Sequence, residues 1–249
     1  MADGTKISWA TTSWNPITGC SPISEGCLNC YAKKMAKRLQ ASGKGGYDKG
    51  FEPTLHEDKL TMPSRWKTSR TIFVCSMGDL FHEDVPFRWI EDVFYKIMLG
   101  SHHTFLLLTK RPERMRGFFE HTKSLYWTPN MHECVWLGVT AENQKRWDER
   151  VPVLLSIPAA HRWVNIGPML ERIRVEKHVH ALDWVALEGE SGSGARHMEV
   201  DWARDVLHQC DVANVPFHLK QFSGFRPEKC PMLDGHRFTA MPPFKKGVK

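Results

Sequence analysis

Cys20, Cys27 and Cys30 stand in the pattern C-x6-C-x2-C, inside the stretch Gly19-Cys-Ser-Pro-Ile-Ser-Glu-Gly-Cys-Leu-Asn-Cys-Tyr31. Glycines and small polar residues around them let a short loop fold back on itself. Three thiolates on one loop can grip one soft metal centre from one side. A structural zinc ion would need a fourth ligand, such as His56 or His82. A cubane [4Fe–4S] cluster held by three cysteines would leave one iron open. A disulfide loop is disfavoured, because the cysteines number seven, an odd count, and Met1–Lys6 contains no apolar signal segment, which leads us to expect a reducing, cytoplasmic setting. Spacing alone leaves zinc, an iron–sulfur cluster and free thiols open. Cys75, Cys134, Cys210 and Cys230 are scattered and read as buried thiols.

The elements that must position this loop come from the rest of the chain. A length of 249 residues suits a single α/β barrel, and a hydrophobic fraction of 41% is enough for a real core. No run of about 18 apolar residues suggests a membrane span. The net charge of +6 permits an anionic partner without demanding one. Ten tryptophans are expected mostly in the core, with some lining a pocket.

Residues 7–16 read as a short strand running into the cysteine loop. After Cys30 the pattern turns helical: Tyr31, Met35 and Leu39 form an apolar stripe, opposite Lys33, Lys34, Lys37 and Arg38, which form a solvated or phosphate-facing side. Residues 41–70 read as loop, with a short helix starting near Met62. From Thr71 the chain becomes rhythmic. Apolar strands are predicted over 71–75, 104–108, 135–139, 162–166, 184–187 and 215–219. Helices are predicted between them, marked by Ile90, Val93, Phe94 and Ile97, by Pro112 at a helix start, by Trp147 and Leu154, and by Trp202, Val206 and Cys210. Strand and helix alternate every roughly 20 to 35 residues, the signature of successive βα units on a parallel sheet. Counting the strand before the cysteine loop gives about seven strands in a partial or near-complete parallel βα barrel of the TIM-like kind. Residues 1–222 are read as this barrel and 223–249 as a partly loop-like extension, with a turn at Leu233-Asp-Gly235 and a frayed end at 245–249.

The strand ends carry the chemistry: Ser76, Gly78 and Asp79; Thr109 and Lys110; Glu142 and Asn143; Asn165; Glu188 and Glu190; Lys220 and Gln221. In a barrel these ends meet at one mouth, together with the cysteine loop. They are carboxylates, amides and lysines rather than clustered histidines, which ranks a zinc hydrolase last.

Several stretches together carry a resemblance: Trp14–Cys20, Gly26–Ala32, Leu107–Met115, Trp136–Asn143, Glu190–Arg196, Val215–Phe217 with Lys220-Gln221, and Leu233–Gly235. With the cysteine loop after a first strand, they resemble the radical S-adenosylmethionine superfamily. Within it the chain is similar to a phage- and prophage-associated three-cysteine-motif family of unknown function. The superfamily usually spaces its cysteines C-x3-C-x2-C, and here the first gap is six. Two further departures are Gly167, where that family commonly has Glu, and Glu188, where it commonly has Gly.

The resemblance implies that Cys20, Cys27 and Cys30 hold a [4Fe–4S] cluster whose open iron binds S-adenosylmethionine. One-electron reduction by a flavodoxin- or ferredoxin-like donor would then yield a 5′-deoxyadenosyl radical. It places Tyr31 near the adenine, Ser76, Gly78 and Asp79 around the methionine ammonium, and Glu142 and Asn143 at the ribose hydroxyls. Lys110 would hold the methionine carboxylate or an anionic substrate, and Glu190, Arg196 and Lys220 would contact substrate. Nucleic acid or a nucleotide is the first expectation for the substrate, since the superfamily includes a thymine-dimer lyase. The alternative is a non-catalytic, zinc- or cluster-stabilised binding protein acting through a phage-encoded partner.

Overall fold

The computed structural model describes residues 5, 7–43, 45–122 and 133–241. The expectation for 245–249 lies outside them. Seven parallel strands form one sheet: β1 (Thr12–Trp14), β4 (Thr71–Val74), β5 (Thr104–Thr109), β6 (Val135–Thr140), β7 (His161–Ile166), β8 (Trp184–Glu188) and β9 (Phe217–Gln221). Their spatial order follows their order in the chain, and every neighbouring pair is parallel. Right-handed crossovers in one direction place all the connecting helices on one face. The other face must curl on itself to leave water, so the sheet is a half-barrel, with β1 and β9 as its two edges. This is the partial barrel of about seven strands that the sequence pattern implies.

Alternation along each strand sorts the side chains between the two faces. Outward residues such as Ile72, Phe105, Leu107, Leu137, Val164 and Val185 pack against α4 (Phe87–Leu99), α5 (Pro112–His121), α6 (Gln144–Ser156) and α7 (Val200–Val212). Inward residues make a separate cluster of Trp9, Phe73, Leu106, Trp136, Trp163, Trp184 and Ala186. Trp163 and Trp184 stack with centroids 5.0 Å apart, and Trp9 meets both edge-on at 5.3 and 5.9 Å. This aromatic plug closes the end of the barrel away from the strand C-termini. The plug needs Gly138 on β6: the Trp163 indole crosses it to donate to the Leu107 carbonyl at 3.1 Å, and a Cβ at 138 would lie 2.4 Å from the indole nitrogen.

Two readings of the sequence are corrected, and one connection has a form of its own. The Tyr31/Met35/Leu39 stripe is not the buried face of α1 (Tyr31–Ala41). Tyr31 is 53% and Met35 39% exposed, while Ala32 and Ala36 are buried, because small side chains let the helix lie close to the barrel. Residues 41–70 are not all loop: β3 (Thr54–Leu55) pairs with β2 (Ile17–Thr18), and α2 (Glu57–Leu60) and α3 (Met62–Arg65) follow. Between β7 and β8 there is no α-helix, only a 3-10 turn at Val179–Ala181. The backbone there finds its partners elsewhere. Met169 and Leu170 N–H donate to Glu188 and Glu142 carbonyls, Arg174 N–H to Gln144 Oε1, and Val175 and Glu176 N–H to Gln209 Oε1.

After β9 the chain turns back through the hairpin of β10 (Met232–Leu233) and β11 (His236–Arg237). Leu219 N–H donates to Phe238 O, and Trp184 Nε1 donates to Ala240 O, so this segment covers the β9 edge.

Gly138→Ala should destabilise the fold by about 1–3 kcal/mol through overpacking against Trp163. Urea unfolding followed by tryptophan fluorescence measures this, and an unchanged midpoint would contradict the packing described.

Candidate active site at the barrel mouth

The cysteine loop leaves β2 at Gly19, whose φ of +95° and contact with the 52–53 backbone admit only glycine. Gly19 N–H donates to Met77 O, and Asp79 N–H to Gly19 O, which lays the loop against the end of β4. Gly78 is needed for the same approach, since a Cβ there would lie 2.8 Å from the Gly19 carbonyl. A 3-10 turn at Glu25–Cys27 and a further turn at Cys30 then lead into α1. All three cysteines are free thiols and partly exposed.

Four strand ends clamp this loop. From β4 and β5, Asp79 accepts from Phe81 N–H (3.0 Å), Thr109 Oγ1 (2.7 Å), Lys110 N–H (3.3 Å) and Arg111 (3.2 Å). Arg111 in turn donates to Cys20 Sγ at 3.4 Å and to Ser21 O and Oγ, both at 3.1 Å. From the end of β6, the fully buried Glu142 accepts from Gly26 N–H at 3.3 Å and pairs with the buried Arg150 at 2.9 Å. From the end of β8, Glu190 accepts from Asn29 and from the Arg196 backbone and side chain, and Arg196 donates to Glu25 O at 3.0 Å. On the outer rim Arg146 pairs with Glu25 at 3.1 Å.

Several residues expected to contact a ligand are therefore found among protein partners. Asp79, Glu142, Glu190 and Arg196 are in the clamps. Asn143 caps α6 by accepting from Arg146 N–H at 2.9 Å. Ser76 Oγ donates to Asn15 Oδ1 at 3.2 Å, and its carbonyl accepts from Tyr31 OH at 2.5 Å, which draws α1 onto the β4 end. Lys110 differs: no hydrogen bond or ion pair of its ammonium is found among the described residues, and its charge acts on Cys27 and Glu188. Lys220 pairs with Glu188, which also accepts from Asn165 Nδ2 at 3.0 Å. Asn165 is 3% exposed, and its Oδ1 has no hydrogen-bond partner among the described residues. These four residues lie above the aromatic plug. The two departures at 167 and 188 meet here, since a Cβ at Gly167 would lie 2.7 Å from Glu188 Cγ. The Glu188 side chain thus fills the space beside Gly167 from the neighbouring strand.

The electrostatics divide the thiols. Burial pushes the Cys20 thiol up to about 12, helped by Asp79 and opposed by Arg111. Burial also acts to raise Cys27, but the Lys110 ammonium and the backbone of Ile23 and Ser24 outweigh it and hold the thiol below its ordinary range. Burial disfavours the Glu188 carboxylate, yet Lys220, with Asn165, keeps it ionised below the usual carboxylate range. The two candidate fourth ligands are engaged: His56 Nε2 bonds Thr18 Oγ1 and His82 Nε2 bonds Ser21 Oγ, each at 2.7 Å. Among the described residues, no three or more His, Cys, Asp or Glu side chains gather to hold a single metal ion.

Sequence reasoning missed Arg111, Arg150, Asn29 and Arg146. Arg111 and Asn29 carried usable signals, one directly after a strand end and the other between two cysteines of the motif. Nothing in a sequence separates a buried arginine from a surface one.

Fold and site together define an α/β half-barrel protein with a three-cysteine loop locked across its mouth. The chain belongs to the family described as "Protein of unknown function (DUF5131)", whose model matches residues 4–242. Among solved structures it is similar to a cysteine-to-serine mutant of spore photoproduct lyase, with 11% identity, a TM-score of 0.49, and coverage of 83% of this chain and 62% of that chain. It is also similar to a double mutant of that enzyme with bound AdoMet and dinucleoside spore photoproduct, and to a complex with dinucleoside spore photoproduct, each at 11% identity and a TM-score of 0.48. The chain spans 62% of the length of these structures. A search of curated proteins gives no match. Among the described residues no helix is long and apolar enough to cross a membrane.

Two outcomes test the clamps. Glu142→Gln leaves Arg150 as a buried charge without its carboxylate and should cost about 3–5 kcal/mol in denaturant unfolding; a cost below about 1 kcal/mol would contradict a structural role. Glu190 is held at about 2 against an ordinary 4.5: burial raises it, and the Arg196 side chain and backbone with Asn29 lower it further. Its folded value is depressed, so its contribution is complete above about pH 4.5 and is lost as pH falls toward 2. Hydrogen-exchange protection at 25–29 and 190–196, taken relative to the intrinsic rate at each pH, should fall over that window in the wild type, and should already be reduced at neutral pH in Arg196→Ala.

Proposed function

We propose that this protein is a radical S-adenosylmethionine-type enzyme in which Cys20, Cys27 and Cys30 hold a [4Fe–4S] cluster. The observation that carries the reading is the placement of three free thiols on one loop, following β1 and the short β2, clamped over the mouth of a consecutive parallel half-barrel. The donor set is of the right chemical kind: three thiols share one loop, Lys110 holds Cys27 below its ordinary range, and Cys20, whose thiol burial pushes up to about 12, would give up its proton on binding the metal. When bound, the cluster would supply the electron that cleaves the sulfonium of S-adenosylmethionine.

The remaining roles belong to the protein's own residues. The Lys110 ammonium, without a direct partner among the described residues, would attract the methionine carboxylate or an anionic substrate group. Asn165, Glu188 and Lys220 would face the substrate from above the plug, with the Asn165 oxygen accepting a donor from it. The tryptophans below exclude water from the closed end. Tyr31, at the rim, would flank the adenine. A nucleotide or nucleic acid is our first substrate class, in keeping with a mouth whose free charge is cationic. A flavodoxin- or ferredoxin-like protein in the cytoplasm would serve as reductant.

The test uses protein reconstituted without oxygen. Iron and sulfide are counted, then dithionite and S-adenosylmethionine are added and 5′-deoxyadenosine is assayed. Four irons per chain, lost in Cys27→Ala, with deoxyadenosine formed, is the expected result. One zinc, no iron and no cleavage would overturn it in favour of a metal-stabilised binding protein.

A further inference from the structure

Arg111 occupies an unusual place. It is 5% exposed, yet it reaches the cysteine loop from the start of α5. Nε donates to Glu83 at 2.8 Å, one terminal nitrogen to Cys20 Sγ at 3.4 Å and Asp79 at 3.2 Å, and the other to Ser21 O and Oγ at 3.1 Å. Its own backbone is held as well, since Arg111 N–H donates to Thr109 Oγ1 at 2.9 Å while that hydroxyl donates to Asp79. The guanidinium therefore has one position, and Cys20 is fixed by it.

We infer that Arg111 and Asp79 form an opposed charge pair that positions Cys20 and sets the reduction potential of the metal group its sulfur holds. The inference rests on the cluster reading above. One-electron reduction of a thiolate-held iron–sulfur group adds one negative charge to it. A fixed N–H donor and positive charge at a ligating sulfur stabilise the reduced form and raise the potential, while a buried carboxylate beside them does the reverse. The nitrogen of Arg111 that contacts the Cys20 sulfur at 3.4 Å also contacts Asp79 at 3.2 Å, so two charges of opposite sign act on one sulfur. They should therefore act on the potential in opposite directions, although each supports the same loop.

Wild type, Arg111→Gln, Arg111→Lys, Asp79→Asn and the double variant Asp79→Asn/Arg111→Gln provide the test; the double variant leaves no unpaired buried charge and guards against loss of folding. The first readout needs no metal: hydrogen exchange over 19–24 in the apo protein. Loss of the guanidinium should speed it on the order of tenfold, as for the loss of a charge-assisted hydrogen bond. Arg111→Lys should fall between, because an ammonium keeps the charge but not the planar fork. The second readout is the midpoint potential, from a dithionite titration of reconstituted protein followed by electron paramagnetic resonance. Arg111→Gln should shift it down and Asp79→Asn should shift it up. A purely structural pair would lose iron in both variants without potential shifts of opposite sign. Shifts in the same direction, or unchanged exchange over 19–24, would overturn the inference. A wild type that takes up no iron would reject the proposed function and the potential claim together, while the exchange result still decides whether Arg111 positions Cys20.

Discussion

A parallel sheet whose strands follow one another in chain order has all its helices on one side, and its other side has no second layer to bury it. Much else in this protein answers that constraint. The sheet curls, and the concave face is filled by large aromatic residues at the end away from the strand C-termini. Trp9 comes from outside the strands to complete the packing around Trp163 and Trp184, and Gly138 gives up its side chain so that one indole can cross β6. With that end closed by apolar rings, polar side chains on the same face are confined to the other end. The mouth exists because the floor is full.

The mouth is then divided between two tasks. Carboxylates at the ends of β4, β6 and β8 are directed at the cysteine loop through Arg111, Gly26 and Arg196. Burying Glu142 against Arg150, or Asp79 against Arg111, contributes little net stability compared with apolar packing of the same volume. Such pairs do impose one geometry, since any displacement would leave a charge in a dry place. A loop with several glycines and serines, which has little apolar surface of its own, is ordered in this way from below and from both sides.

What the clamps leave over faces the barrel interior. Lys110 has a charge that no described residue neutralises by direct contact, and Asn165 has an acceptor without a partner among those residues. Glu188 and Lys220 offer a paired acid and base between them. Glu188 also occupies the room that a side chain at Gly167 would need, so the carboxylate of this part of the mouth comes from β8 and cannot come from both strands at once. The residues that would read a substrate therefore lie on β5 and on β7 to β9, on the side of the mouth away from β1.

Periodicity was enough to read the architecture from the chain. Continuously apolar strands, helices with stripes such as Ile90/Val93/Phe94/Ile97, and polar residues at each strand end leave few other folds, because burial on both faces of a strand and on one face of a helix is a local property of sequence. The three cysteines were legible for the same reason, as a short-range pattern. Which polar strand-end residues hold the loop and which remain free was not legible. Asp79 and Lys110 sit at comparable strand ends, but one is saturated by four donors and the other has no direct partner among the described residues. Arg111 and Arg150 look like any surface arginine until the fold buries them against carboxylates from other parts of the chain. The exposed stripe of α1 was misread because Ala32 and Ala36, not Tyr31 and Met35, allow the close approach the barrel demands. Sequence by itself determined the strands of the main sheet, the long helices packed on it and the three-cysteine pattern. Tertiary structure alone decided the pairing of charges across strands, because such pairing depends on distances between residues far apart in the chain.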